Sequence, residues 1–255
     1  MAPWLILPTY DEAANVEAVV RAAHAVLREA APQGFRILVV DDASPDGTGV
    51  IADGLADELA EVDVLHRTGR GGLGGLGGLG GAYRAGFARA LEGGATHVFE
   101  MDADGSHDPA DLAALLAATG AGADLALGSR YVPGGGVTDW GAGRRLVSRG
   151  GCLYAQLVLR VPVRDLTGGF KCFNREVLEA IDLPSARARG YAFQVELTWR
   201  ALRAGFRVAE VPITFRERRA GQSKMSWRIA LEAVWLVPGL RLSRPRLKEA
   251  RVARR

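Results

Sequence analysis

Residues 98–109 of this 255-residue chain read Val-Phe-Glu-Met-Asp-Ala-Asp-Gly-Ser-His-Asp-Pro, and the rest of the chain is organised around this stretch. It begins as a short apolar run, which predicts a buried strand, and then turns abruptly acidic. The Asp-Pro pair at its end predicts the start of a helix, because proline is tolerated in the first helical turn. Two carboxylates, Asp102 and Asp104, therefore follow the end of a predicted strand.

Asp102 and Asp104 are candidate ligands for a metal ion. A hard divalent cation such as Mg2+ or Mn2+ prefers oxygen ligands and often keeps coordination places for the phosphates of a substrate. The alternative is a solvated loop in which an aspartate caps the next helix, and a pattern as short as Asp-x-Asp does not separate the two by itself.

Strands and helices alternate on both sides of this stretch. Apolar runs at residues 4–7, 35–40, 62–65 and 124–127 predict further strands, and helical periodicity follows most of them. This order predicts an α/β fold with a doubly wound, mostly parallel sheet flanked by helices. The carboxyl ends of its strands would bring together residues 9–12, 41–42, 102–106 and 130, which favours the metal-site interpretation.

Composition indicates an ordinary globular protein with one or two domains. Apolar residues make up 48% of the chain and charged residues 24%, and the net charge of +3 is too small to indicate nucleic-acid binding. Cys152 and Cys172 form neither a disulfide framework nor a metal-ligand spacing, so we expect free core thiols in a reducing compartment. The N-terminus has no basic region ahead of a long apolar run, and no segment reaches the roughly 20 apolar residues that span a bilayer. We therefore expect a cytoplasmic protein that binds a membrane at most peripherally.

A glycine-rich segment at residues 69–81 repeats Gly-Gly-Leu. Such a segment before a helix could cradle a phosphate with backbone N–H groups, but the lysine of a Walker motif is absent. We interpret it as a mobile loop that precedes a helix over about residues 82–91.

The chain resembles the polyprenol-phosphate (dolichol-phosphate) mannosyltransferases of the inverting GT-A glycosyltransferase class. The motifs that carry the resemblance occur in family order over roughly residues 3–230: Pro-Thr-Tyr-Asp-Glu at 8–12, Asp-Asp-Ala-Ser-Pro-Asp-Gly-Thr at 41–48, Met-Asp-Ala-Asp-Gly-Ser-His-Asp-Pro at 101–109, Gly-Ser-Arg-Tyr at 128–131, Ser-Arg-Gly at 148–150, Asp-Leu-Thr-Gly-Gly-Phe at 165–170 and Gly-Gln-Ser-Lys-Met at 221–225. Each motif alone is weak, but the ordered set is specific.

The resemblance implies a GT-A catalytic domain over residues 1–240, ending in an amphipathic helix, and a basic tail over residues 241–255. It implies transfer of mannose from GDP-mannose to a polyprenyl phosphate, giving a β-linked phosphomannose. By position, the residues expected to bind the nucleotide sugar are Pro8, Tyr10, Glu12, Val40, Asp41, Asp42, Asp102, Ala103, Asp104, Arg130, Arg218 and Lys224. Those expected to bind the metal, Mg2+ or Mn2+, are Asp102, Asp104 and Ser106. Those expected at the acceptor phosphate are Arg130, Arg149, Ser223 and Lys224.

These residue types fit the implied chemistry. The leaving GDP gains negative charge as the sugar carbon becomes cationic, so a divalent cation and Arg130 would stabilise the transition state. The acceptor phosphate is already anionic at neutral pH and needs no general base. We therefore predict direct displacement with inversion, in which Asp102 and Asp104 hold metal and do not abstract a proton. Three features depart from the family: Asp11 replaces the usual asparagine, the Gly-Gly-Leu repeat is longer, and the transmembrane helices of some relatives are absent.

Other functions remain compatible with the sequence. The same scaffold could transfer glucose from UDP-glucose to a lipid phosphate, or a sugar to a saccharide, although the latter needs a general base. An alternative outside the enzymes is a noncatalytic module that binds a nucleotide sugar or a lipid.

The C-terminal region predicts contact with a membrane surface. Residues 227–237 are strongly apolar and contain two tryptophans, and residues 241–255 carry seven basic residues against one glutamate. An interfacial helix with a polybasic tail would bring the site to a lipid acceptor at the cytoplasmic face of a membrane, with or without a membrane-protein partner. The alternative is a core-packing helix followed by a disordered tail.

Overall fold

The computed structural model describes residues 2–68, 78–186, 190–217 and 237–242. Its strands are β1 (Pro3–Thr9), β2 (Arg36–Asp41), β3 (Val62–His66), β4 (His97–Glu100), β5 (Leu125–Ser129), β6 (Gly136–Val137), β7 (Lys171–Asn174), β8 (Val208–Pro212) and β9 (Thr214–Phe215). Its helices are α1 (Val16–Ala30), α2 (Thr48–Glu58), α3 (Gly78–Glu92), α4 (Asp111–Gly120), α5 (Ala142–Leu159), α6 (Arg175–Ala180) and α7 (Gly190–Arg203), with a 3-10 turn at Leu183–Ser185.

The main sheet has seven strands in the order β3-β2-β1-β4-β7-β5-β8. All of its neighbouring strands pair in parallel except at β7, which is antiparallel to both β4 and β5. The predicted doubly wound, mostly parallel sheet is thus confirmed. Residues 208–215 divide at Ile213 into β8, at the edge of the main sheet, and β9, which pairs with β6.

Helices cover both faces of the sheet. Leu5 and Leu7 of β1 contribute to the apolar core that contains buried residues of α1, α2 and α4. Trp4 and Ile6, which point the other way, lie in the core with α3, α6 and α7. Because side chains alternate along a strand, a strand covered on both faces is apolar at successive positions, as residues 4–7 of β1 and 37–40 of β2 are. A third cluster joins α5 to α7 and contains Val237 and Leu240.

Helix α3 begins at Gly78, four residues before the position that the sequence predicts. The last four residues of the repeat, Gly-Leu-Gly-Gly at 78–81, therefore form the first turn of α3 and do not belong to a loop. Glycine disfavours a helix by up to about 1 kcal/mol per residue, so local propensity argues against this start. Tertiary packing overrides it, because Gly80 and Gly81 are buried and a side chain on Gly81 would lie 3.0 Å from Arg67. Residues 69–77 of the repeat lie outside the described residues.

Cys152 and Cys172 are free and buried, as predicted. Among the described helices, none combines the length and the apolar character needed to cross a lipid bilayer.

Candidate active site

The predicted site residues meet at the carboxyl edge of the sheet. Pro8 of β1 is paired with Val40 of β2, and Thr9 with Asp41. On the other side of β1, Ile6 is paired with Glu100 of β4, so the acidic stretch leaves the sheet beside the end of β1. The parallel register alone therefore brings three predicted segments, which are distant in sequence, to one edge.

Asp41 and Asp42 are both buried at the end of β2. Asp41 accepts hydrogen bonds from the hydroxyl of Ser44 at 2.6 Å and from that of Thr9 at 3.3 Å. Asp42 forms an ion pair with Arg67, which follows β3 at the same edge. Burial raises the pKa of Asp42 above its ordinary value, although the charge of Arg67 opposes this effect. Arg67 thus places its positive charge against the buried Asp42 carboxylate, at the edge where the nucleotide is predicted to bind.

The loop after β1 is fixed to the loop after β2. The carboxylate of Asp46 accepts a hydrogen bond from the backbone N–H of Ala13 at 2.9 Å and another from that of Thr48 at 3.0 Å. The hydroxyl of Thr48 accepts from the backbone N–H of Glu12 at 2.9 Å. Glu12 in turn accepts a hydrogen bond from the Asn15 amide at 2.8 Å. The Glu12 carboxylate is therefore held in place before any ligand binds.

Asp102 lies just beyond β4, where Tyr83 and His107 contact it. The hydroxyl of Tyr83, on α3, donates to Asp102 Oδ1 at 3.2 Å, and the backbone N–H of Asp102 donates to His107 Nδ1 at 3.2 Å. Burial and the neighbouring Asp102 charge raise the pKa of Tyr83 well above its ordinary value, so this hydroxyl stays a donor. Gly169 also lies beside this carboxylate, because a Cβ there would lie 3.8 Å from Asp102 Oδ2 and 3.9 Å from Oδ1. The absence of a side chain at Gly169 leaves space next to both oxygens.

Asp104, Ala103 and Ser106 complete the turn after Asp102, and all three are buried. The backbone N–H of Ser106 donates to Asp104 Oδ1 at 3.0 Å. The Ser106 hydroxyl has no hydrogen-bond partner within the described part of the chain. Nor do three or more acidic, histidine or cysteine side chains converge there in a metal-binding group. The oxygen donors at this turn are therefore two carboxylates and one buried hydroxyl.

Arg130 follows β5 and is clamped by Asp165. Its Nε lies 2.7 Å and its Nη2 2.6 Å from the two carboxylate oxygens of Asp165, and its backbone N–H donates to the same group at 2.9 Å. Nη2 also donates to the Thr167 hydroxyl at 2.8 Å. Burial would lower the pKa of Arg130, but its hydrogen bonds to Asp165 raise it above its ordinary value. Arg130 is thus a permanent positive charge with a fixed orientation.

A second buried ion pair involves Glu100, the last residue of β4, two residues before Asp102. Lys171 of β7 donates to Glu100 Oε1 at 2.9 Å and also to the Gln194 side chain of α7, and all three residues are buried. Burial raises the pKa of Glu100 and lowers that of Lys171. The pair thus joins the end of β4 to β7, which lies between the strands that precede Asp102 and Arg130.

The structure brings most of the predicted site residues to one edge. Arg149 stands apart on the exposed side of α5, although the adjacent Ser148 accepts a 2.7 Å hydrogen bond from the Tyr131 hydroxyl. Arg218, Ser223 and Lys224 lie outside the described residues. Four contributors to the site were given no role from the sequence: Arg67, Tyr83, Asp165 and Lys171. Arg67 could have been found by its position just after a predicted strand, and Asp165 opens the motif at residues 165–170. The roles of Tyr83, Asp165 and Lys171 follow only from tertiary contacts.

These features agree with comparisons to known proteins. A family model described as glycosyl transferase family 2 matches residues 4–182, and the chain belongs to this family and is a glycosyltransferase.

Two curated relatives are more specific. The chain is 49% identical to the polyprenol monophosphomannose synthase of Mycolicibacterium smegmatis over 91% of its own length and 84% of the relative's. It is 47% identical to the undecaprenyl-phosphate mannosyltransferase of Micrococcus luteus over 90% of its length and 89% of the relative's.

Solved structures match the fold over nearly the whole chain. Glucosyl-3-phosphoglycerate synthase from Mycobacterium tuberculosis has a TM-score of 0.68 at 17% identity and covers 94% of this chain and 79% of its own. Mannosyl-3-phosphoglycerate synthase from Rubrobacter xylanophilus has a TM-score of 0.63 at 21% identity and covers 95% of this chain and 74% of its own. The fold is the predicted GT-A fold.

Proposed function

We propose that this chain transfers mannose from GDP-mannose to a polyprenyl phosphate with inversion, giving polyprenyl β-phosphomannose. The observation that carries the proposal is the 49% identity to a polyprenol monophosphomannose synthase over 91% of the chain. The edge of the sheet supplies residues suited to the reaction: buried carboxylates beside β1 and β2, Asp102 and Asp104 after β4, and the clamped Arg130 after β5.

A divalent cation fits the turn at Asp102. Two carboxylates and the buried Ser106 hydroxyl, which has no partner among the described residues, are hard oxygen donors. Mg2+ is commonly held by one or two carboxylates together with substrate phosphates, so a third acidic side chain is not required. Two solved structures of the Mycobacterium tuberculosis relative, at 18% and 19% identity, contain Mn2+ with a uridine nucleotide. When bound, the cation would neutralise charge on the leaving diphosphate.

The chain's own residues then have distinct tasks. Asp102 and Asp104 bind the cation, and the Tyr83 hydroxyl restrains the Asp102 carboxylate. Arg130 uses Nε and Nη2 to contact Asp165, which leaves Nη1 to contact a phosphate of the donor or the acceptor. The acceptor phosphate is itself the nucleophile and is already ionised at neutral pH, so no residue needs to remove a proton. Glu12, Asp41 and Asp42 are assigned to the guanosine part.

Residues outside the described part complete the proposal. Arg218, Ser223 and Lys224 are assigned to the phosphates by their position in the family motif. Arg149 is assigned to the acceptor phosphate by its place in the Ser-Arg-Gly motif, next to Ser148, which accepts a hydrogen bond from Tyr131. We also propose that the protein works at the cytoplasmic surface of a membrane, where a polyprenyl phosphate presents its head group.

The direct test is a transfer assay with purified protein and a polyprenyl phosphate. GDP-mannose should support transfer with Mg2+ or Mn2+, UDP-glucose should not, and EDTA should abolish the reaction. An α-linked product, or a mannosyl-enzyme trapped in a single turnover, would exclude direct displacement. Preference for UDP-glucose would leave the scaffold assignment intact but replace the donor, and no transfer with any nucleotide sugar would favour a binding module.

A further inference from the structure

Helix α5 has an apolar stripe on the side turned away from the protein. Leu146, Leu153 and Leu157 are 75%, 54% and 69% exposed. At about 100° per residue, their side chains fall within roughly 40° of one another around the helix. Contiguous exposed apolar side chains of this kind mark an interaction surface more often than isolated ones do.

The opposite side of α5 packs against the active-site edge. Ala155 and Leu159 are buried in the cluster that contains Leu127 of β5. The thiol of Cys152 lies 3.3 Å from the Thr167 hydroxyl and 3.6 Å from Asp165 Oδ1, both of which contact Arg130. Since a helix with its side chains is about 10–12 Å across, the exposed stripe lies about that far from the Arg130 cluster.

The charge on α5 has one sign. The helix contains three arginines and no acidic residue. Arg145 and Arg149 are exposed, and at about 100° per residue both border the same side of the leucine stripe. A helix with leucines on one face, bordered by arginines, is the pattern that binds in the interface of an anionic bilayer. Leu242 is a further exposed leucine, at 85%, and follows Arg241, whose guanidinium donates to the Val158 carbonyl of α5 at 2.9 Å.

We propose that the exposed face of α5 is the surface that docks the enzyme on an anionic phospholipid bilayer. Leu146, Leu153 and Leu157 enter the head-group region, and Arg145 contacts lipid phosphates. This orientation places the Arg130 cluster about one helix diameter from the lipid surface, within reach of an acceptor phosphate whose prenyl chain stays in the bilayer. The inference rests on the proposed function only in so far as that function makes the acceptor a lipid.

The test measures binding of the full chain to vesicles made of equal parts of phosphatidylcholine and phosphatidylglycerol. The variant L146Q/L153Q/L157Q removes the stripe and keeps good helix propensity. Its affinity for the vesicles should fall at least about tenfold, because burial of one leucine side chain alone is worth about that factor. Val50→Gln on α2 is the matched control, since Val50 is 76% exposed and α2 packs beside β3 at the far edge of the sheet. This control should bind as the wild type does.

Further measurements separate this surface from the alternatives. Arg145→Gln should weaken binding to the mixed vesicles and leave binding to pure phosphatidylcholine unchanged. Activity on a short-chain acceptor dissolved in buffer should survive in L146Q/L153Q/L157Q, and circular dichroism should match the wild type. Wild-type binding by the triple variant, or no vesicle binding by the wild type, would overturn the proposal. A triple variant that binds vesicles normally but loses self-association on a sizing column would assign the stripe to a second copy of the chain. Absence of transfer activity in the wild type would instead refute the proposed function. It would leave the docking surface in place, because vesicle binding is measured without substrates.

Discussion

Replacing Lys171 with methionine should destabilise the protein strongly near neutral pH and weakly in mild acid. Lys171 and Glu100 are both fully buried, so the substitution leaves a carboxylate in the core without its counter-ion. The least costly response of the folded protein is to keep Glu100 protonated. Against an ordinary pKa of 4.5, this costs about 4 kcal/mol near pH 7.5, since each pH unit is worth about 1.4 kcal/mol.

The sign of the pH dependence follows from the same pair. Burial raises the pKa of Glu100 in the folded state, and removal of Lys171 raises it further. Between 4.5 and the folded pKa, the folded protein holds a proton that the unfolded chain releases, so stability falls as the pH rises. Near pH 5 the cost of protonation falls to about 1 kcal/mol or less.

The assay is urea unfolding of the wild type and Lys171→Met, followed by circular dichroism near pH 7.5 and near pH 5. The expected loss near pH 7.5 agrees with the roughly 3–5 kcal/mol measured when one partner of a buried ion pair is removed. It corresponds to a fall in melting temperature of about 8–16 °C for a chain of this size. The double variant Glu100→Gln/Lys171→Met removes the carboxylate and should lose the pH dependence. A loss below about 1 kcal/mol near pH 7.5, or an equal loss at both pH values, would refute the reasoning.

Three further predictions concern other positions. Gly54→Ala should stabilise α2 by about 0.5–1 kcal/mol, because its added Cβ meets nothing within 4 Å. Gly86→Ala should instead destabilise the protein by about 1–3 kcal/mol, because its Cβ would lie 2.4 Å from a β1 side chain. Thermal unfolding of the two variants measures this difference, and equal effects would contradict the packing. Asp165→Asn leaves the Arg130 charge buried without a counter-ion and should cost about 3–5 kcal/mol in urea unfolding; wild-type stability would show that the clamp is unimportant. Gly169→Ala should leave the free energy of unfolding within about 0.5 kcal/mol of the wild type but slow sugar transfer roughly tenfold. The reason is that its methyl group narrows the space beside the Asp102 carboxylate, the proposed metal ligand. An unchanged transfer rate would place the donor elsewhere.

Much of the fold could be predicted because local pattern and topology agree. β1 and β2 each contain a run of four apolar residues that ends in polar ones, which is how a parallel strand covered on both faces appears in a sequence. Once those strands are parallel, their carboxyl ends must share an edge, and the predicted grouping of Thr9, Asp41 and Asp102 follows. The antiparallel insertion of β7 between β4 and β5 was not predictable in this way, because a strand's own residues do not specify its neighbours.

The contacts that fix the site charges were harder to predict. Arg130 and Asp165 are 35 residues apart, and nothing in either local sequence shows that they form a bidentate pair. The same holds for Lys171 and Glu100, whose residue types alone predict exposure. The predicted start of α3 near residue 82 was wrong for a related reason. The helix begins at Gly78, because burial of its glycines against Arg67 and the sheet outweighs their poor helix propensity.

The central claim is that Asp102 and Asp104 together bind the cation that holds the donor diphosphate. Its most direct test is titration of Mn2+ into the protein with GDP, followed by electron paramagnetic resonance of free Mn2+. We expect one Mn2+ site that GDP strengthens in the wild type, and at least about a tenfold loss of affinity in both Asp102→Asn and Asp104→Asn with unchanged circular dichroism. The asparagine oxygen can still accept the Ser106 N–H bond, so the turn should survive. Wild-type affinity for Mn2+ and GDP in either variant would contradict the claim.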